Sequence, residues 1–455
     1  MSVHPIDFKI YGDDFGDPRI REIFSERGVV ESWLLFEATL AQVQGELDMI
    51  PREAAEEIAR KASLEHVSIE RVAHIYRETR LSSVSLIRAL REACEGGAGE
   101  YIHYGATTQD LFDTSLALRL KGALNIIDEE ARQLHGLLVD LARRYRDTLM
   151  VGRTHGQHAL PITLGFKLAV WSEAIREHLE RFGQIKERLL VGNISGAVGN
   201  FASFCAIDAP NALRMQDMVL ERLGLDVPVI SIQPRTERLA EFMNLLSLVS
   251  LTLEKMAEEV FTLQRTEFGE LEEPYDTEKQ ISSSTMPQKR NPIHAELIRA
   301  LVRKIRSNAG VMSGAFMKEE RDMSPFYLED LIIPETCVLA STVLEAAKVI
   351  FSGLVVNEER MRRNLDSTKG LLMAEALMLE LSKKTGRKET AMDLVHTAAM
   401  ISFEKGVPFT RAVLEDEAIG RHFSADDLER ILSPEHYLGL TRALVDRVVS
   451  GHGQP

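Results

Sequence analysis

Cysteine is scarce. The 455 residues hold three, Cys94, Cys205 and Cys337, far apart along the chain. No two have metal or redox spacing, and three cannot all pair within one chain, so a disulfide framework is excluded and a reducing, cytoplasmic setting is expected. Lysine and arginine never cluster into a basic stripe, and the formal net charge is −15. That disfavours nucleic acid as a partner. A small anion remains compatible, because a site needs only local positive charge. The apolar stretch Leu245 to Leu253 contains serines and a threonine and is too short to span a bilayer, so no membrane segment is expected. The N-terminal residues to Gly16 are acidic, with no apolar core of a signal peptide. No alternating run suggests a strand of any length.

What is present is helix. Hydrophobic residues make up 45% of the chain and charged residues 27%, ample for a large core and more than one domain. Leu239, Phe242, Leu246, Val249 and Leu253 recur at spacings of three and four between Arg235 and Phe268, a span without glycine or proline. Pro234 sits at its start, where a missing N–H costs little. Further long helices are expected after Pro161 to Leu190, from Ile293 past Arg306, and from Glu335 to Phe351. Leucines and valines cover more than half the circumference between Leu245 and Leu253, so this helix must be buried on most sides. Helices of this kind build a bundle. The chain divides into an N-terminal helical domain at 1–105, a long-helix domain at 106–355 and a smaller helical domain at 356–455.

Three segments carry chemistry. His103-Tyr104-Gly105-Ala106-Thr107-Thr108-Gln109-Asp110 places glycine and hydroxyls before an amphipathic run, which makes either an ordinary helix cap or a cradle for a carboxylate. Gly152-Arg153-Thr154-His155-Gly156-Gln157-His158 offers two histidines three apart but no third ligand, so no metal is expected. Ser283-Ser284-Thr285-Met286-Pro287-Gln288-Lys289-Arg290-Asn291-Pro292 gathers hydroxyls, a lysine and an asparagine on a loop that prolines keep from being helical. Such a loop suits a proton-abstracting oxygen with cationic and amide partners for the charge that develops.

The pattern S-S-x-M-P-x-K-x-N-P resembles the signature of the fumarase/aspartase superfamily, and the other two segments are similar to family motifs in the same order. The resemblance implies an all-α, three-domain fold whose central long-helix bundle assembles into the core of a homotetramer, each active site drawing one motif from each of three chains. It implies Ser283 as catalytic base, and His155 as the acid for the leaving group with Glu296 as its partner. Thr107, Thr108, Thr154, Lys289 and Asn291 would hold the carboxylates, with Arg321 also binding substrate and no cofactor required. Gly192 to Asn200 also resembles a family segment. The implied chemistry is elimination of fumarate from a succinyl compound.

The substrate stays open at this level. Thr79-Arg80-Leu81-Ser82 lacks a histidine that adenylosuccinate lyases carry, and Asp330 stands where they place a phosphate-binding arginine. Glu267-Phe268-Gly269-Glu270 is similar to the 3-carboxy-cis,cis-muconate cycloisomerase branch, which generally lacks the histidine provided here by His155. First place therefore goes to another N-succinyl or related dicarboxylate substrate, with adenylosuccinate, the lactonising reaction and a silent structural scaffold as alternatives. Arg235 replaces a glutamine of adenylosuccinate lyases and is expected to bind a carboxylate on the leaving group.

Overall fold

The computed structural model describes residues 3–276, 285–315, 319 and 321–451. The chain is all-α apart from two short antiparallel pairs. It divides into two compact units, Met1–Ala131 with His178–Leu253 and Ala300–Glu345, and Arg132–Glu177 with Glu254–Arg299 and Ala346–Pro455. Five long helices contribute residues to both: Thr108–Arg144, Leu164–Leu189, Glu237–Leu263, Ile293–Gly314 and Ser324–Ser352.

In the first unit, side-chain oxygens start the early helices. Asp17 accepts the Arg19 amide ahead of Pro18–Phe24, Ser25 that of Gly28 ahead of Glu26–Glu46, and Ser68 that of Arg71 ahead of Ile69–Thr79. Leu34, Phe36, Leu40, Ile58, Leu86 and Leu90 are fully buried between them. Gly45 lets Glu26–Glu46 approach Arg52–Lys61, since a Cβ there would lie 2.5 Å from the Ala55 Cβ.

The second unit holds the hairpin Leu149–Thr154 with Gln157–Thr163, paired from Leu149 opposite Thr163 to Thr154 opposite Gln157. This corrects the expectation of no strand. The alternation is short, and Pro161 sits opposite Val151 inside the second strand instead of opening a helix. Val151 packs into a cluster with Leu377, Leu381, Val395 and Phe409 of the C-terminal helices, which seats the hairpin.

The longest helix among the described residues is Thr108–Arg144, about 55 Å at the usual rise. Glu237–Leu263 is shorter than expected at both ends. Its faces bear out part of the all-round apolar pattern: Leu246, Val249 and Leu253 are buried, whereas Leu248 and Leu251 are half exposed in the single chain. No helix among the described residues is long and apolar enough to cross a membrane.

Candidate active site

In the first unit the His103–Asp110 segment turns sharply into Thr108–Arg144. His103 and Gly105 both adopt positive φ. The His103 ring Nδ1 meets the buried Glu37 carboxylate at 2.6 Å, and Gln44 donates to the Tyr104 carbonyl at 2.7 Å. Asp110 accepts the Thr107 amide at 3.0 Å, closing the first turn. It also accepts the amides of Ser195 at 2.9 Å and Gly196 at 3.0 Å and the Asn193 side chain at 3.2 Å. Burial raises the Asp110 pKa, and these amides oppose the rise. Asp110 therefore moors the Gly192–Asn200 loop beside Thr107 and Thr108. The Thr108 hydroxyl is shared with Ser83 at 2.9 Å.

Arg321 reaches the same loop. Its guanidinium donates to Gln233 Oε1 at 2.9 Å, to the Glu319 carbonyl at 2.6 Å and to the Val198 carbonyl at 3.2 Å. Gln233 is buried and donates in turn to the Gly196 carbonyl at 2.8 Å. Sequence reasoning missed Gln233; its only local signal is its place before Pro234. Arg235 lies about half exposed, 3.7 Å from Glu237.

One turn beyond Gln109, Asp113 is buried with Arg238 and Glu329. Burial pushes the Asp113 carboxyl up to about 8 and Glu329 up to about 7, with the Arg238 charge resisting both. Next to Glu329, a cleft of about 270 Å³ is lined by Trp33, Tyr76, Phe112, Phe326, Arg119 and Asp330, among others. Burial lowers the Arg119 pKa to about 10, and the Asp330 charge counters this. Burial raises the Asp330 pKa, and Arg119 counters it.

In the second unit, Thr154 and Gln157 close the hairpin around His155-Gly156. Both turn residues have positive φ, 52° and 75°, the requirement of a type I′ turn. Histidine tolerates this region better than most residues, so the fold presents His155 at an exposed tip with Thr154 beside it. Arg153, one residue before, is held by the fully buried Glu270. Burial, then the Arg153 charge, lowers the His158 pKa.

Lys289, Arg290, Asn291 and Glu296 line one cleft of about 1060 Å³ with Arg265 and Arg360. Within the loop the Lys289 amide donates to the Met286 carbonyl at 3.1 Å, and the Glu296 amide donates to the Pro292 carbonyl at 3.0 Å where Ile293–Gly314 begins. Ser283 lies outside the described residues. His155 and Glu296 make no hydrogen bond or ion pair with each other within the chain. Among the described residues no group of three or more His, Cys, Asp or Glu is placed to hold a metal ion.

A family model described as "Lyase" matches residues 15–307, and one described as "Adenylosuccinate lyase C-terminus" matches residues 370–448. The chain is 43% identical over 451 residues to adenylosuccinate lyase of Methanocaldococcus jannaschii, covering 99% of this chain and 96% of that protein. It is 39% identical to N-acetyl-S-(2-succino)cysteine lyase of Dickeya dadantii, covering 99% and 98%. Among solved structures, the 3-carboxy-cis,cis-muconate lactonizing enzyme of Pseudomonas putida superimposes with a TM-score of 0.89 at 32% identity, covering 98% and 99%. A long-helix fold with these three segments in this order defines a lyase, an enzyme of the fumarate-releasing type. The chain belongs to the fumarase/aspartase superfamily, in the family matched over residues 15–307.

Proposed function

We propose that the chain releases fumarate from a succinyl substrate by β-elimination. The observation that carries this reading is the shared cleft of Lys289, Asn291 and Glu296, which sets a cation and an amide at the exit of the signature segment. Ser283 removes the proton beside a substrate carboxylate. The electron pair moves into that carboxylate, and the resulting aci-carboxylate dianion is stabilised by Lys289, Asn291 and backbone amides. The pair then returns to form the fumarate double bond as the bond to the leaving group breaks. His155 supplies the proton to the departing atom, oriented by Glu296. Thr107, Thr108, Thr154 and Arg321 hold the substrate, each site drawing its motifs from three chains of a homotetramer. The half-exposed Leu248 and Leu251 supply apolar area for that assembly. The division at 1–105, 106–355 and 356–455 is part of the same proposal, as is a cytoplasmic setting.

Adenylosuccinate is the first candidate substrate. The match over residues 370–448 and the 43% identical relative support it over the unspecified succinyl compound that the sequence alone places first. A second reading, elimination from N-acetyl-S-(2-succino)cysteine, is favoured by Asp330. That carboxylate stands in an aromatic cleft at the position where a phosphate-binding arginine is expected, and a phosphate there would meet its charge. Fumarate absorbance with each compound tests the proposal, and the faster substrate decides between the readings.

A further inference from the structure

Glu273 stands at the entry to the signature segment and binds its exit. The residue is 4% exposed. One carboxylate oxygen accepts the Ala295 amide at 2.6 Å; the other accepts the His294 amide at 3.1 Å and meets the His294 ring Nδ1 at 2.9 Å. These amides belong to the first turn of Ile293–Gly314, whose N–H groups have no partner inside the helix. The residue just before that helix is Pro292, which has no side-chain acceptor, so the cap comes from 21 residues before His294. A carboxylate there also faces the positive end of the helix dipole. Gln264 ties the same two ends again, accepting the Glu273 amide at 3.0 Å and donating to the Arg290 carbonyl at 3.2 Å. Arg290 donates to Glu272 at 3.2 Å.

We propose that Glu273 is a positioning residue for the elimination. By capping Ile293–Gly314 from the opposite end of the segment, it fixes where Lys289, Asn291 and Glu296 stand around their cleft. The proposal rests on reading that cleft as the holder of the substrate carboxylate. Two backbone amides fall on different oxygens of the carboxylate, so both oxygens must accept. Glutamine keeps the size but turns an NH₂ group toward a donor, leaving a buried amide unpaired. His294→Ala removes only the ring contact and leaves both amide bonds.

The test compares wild type, Glu273→Gln and His294→Ala by steady-state kinetics, fumarate inhibition and amide hydrogen exchange. In Glu273→Gln, KM and the fumarate inhibition constant are expected to rise together about tenfold, with a larger fall in kcat/KM. Loss of folded protein lowers apparent kcat and kcat/KM in proportion and leaves KM and the inhibition constant unchanged, so it does not mimic this. Exchange at His294 and Ala295 should quicken while the Lys388–Lys405 helix stays at its wild-type rate. His294→Ala should remain within about threefold of wild type. Wild-type KM and inhibition in Glu273→Gln would overturn the proposal, as would faster exchange throughout Lys388–Lys405 or an equal loss in His294→Ala. If wild type releases no fumarate, the functional reading fails by itself. The exchange arm then decides the capping role: unchanged protection of His294 and Ala295 in Glu273→Gln overturns it, and lost protection upholds it.

Discussion

Arg153 Nη2 lies 2.5 Å from Glu270 Oε1, and its Nη1 lies 3.1 Å from Oε2, a two-pronged pair on a carboxylate with no exposed surface. Asn364 donates to the same carboxylate at 2.6 Å, and the guanidinium stacks 5.1 Å from the centre of the Phe268 ring. The pair sits two residues before His155 and ties its hairpin to the segment that runs on to Glu273.

Removing one partner strands a buried charge. Glu270→Ala is expected to destabilise the fold by about 3–5 kcal/mol in denaturant titration. Replacing Arg153 and Glu270 together by apolar residues of similar volume should recover most of that loss. A single variant as stable as wild type would show that water reaches the pair.

His155→Asn keeps the turn, because asparagine is favoured at positive φ. The rate loss should be larger for adenylosuccinate, whose amine needs a proton to leave, than for the thioether, whose thiolate leaves without one. Equal losses for both substrates would remove His155 from the acid role.

Much of this was legible in the chain. Pro234 lies close to the start of Glu237–Leu263, and the three-and-four spacing marks the face of that helix that is buried, whereas Pro161 falls inside the strand Gln157–Thr163. Thr108–Arg144 is less legible because Gly122 and Gly136 interrupt its pattern. Gly122 is accommodated because Ile23 fills the space, 2.9 Å from where a Cβ would stand. Thr107, Thr108, Lys289, Asn291 and Glu296 were legible as motifs. What holds them was not: Asp110 to Ser195 and Glu273 to Ala295 are bonds across long stretches of sequence, and neither acid belongs to a local pattern that names its partner.

Asp113 and Glu329 hold protons in the folded chain well above the ordinary carboxylate range, so between about 4 and 8 the folded state binds more protons than the unfolded state. Stability therefore falls as pH rises through that window, at no more than about 1.4 kcal/mol per pH unit for each proton. Glu329→Gln should flatten the decline between about pH 5 and pH 7 in thermal melts. Parallel curves for the two proteins would contradict the buried-proton account.

On the thioether reading the leaving group carries a carboxylate, and the proposed partner for it is Arg235, two residues before Glu237–Leu263. Arg235→Gln should then raise KM about 10–100-fold, the loss of a charge-assisted pair. Fumarate inhibition should stay nearly unchanged, because fumarate fills only the succinyl half. An unchanged KM would make Arg235 a surface cation paired with Glu237.

The central claim is tested most directly by incubating the protein with adenylosuccinate and, separately, with N-acetyl-S-(2-succino)cysteine, and following fumarate by absorbance with Ser283→Ala alongside. The account predicts fumarate and the matching leaving group in equal amounts from at least one compound, and no turnover in Ser283→Ala at unchanged melting temperature. Absence of fumarate from both, or full turnover without Ser283, would contradict it.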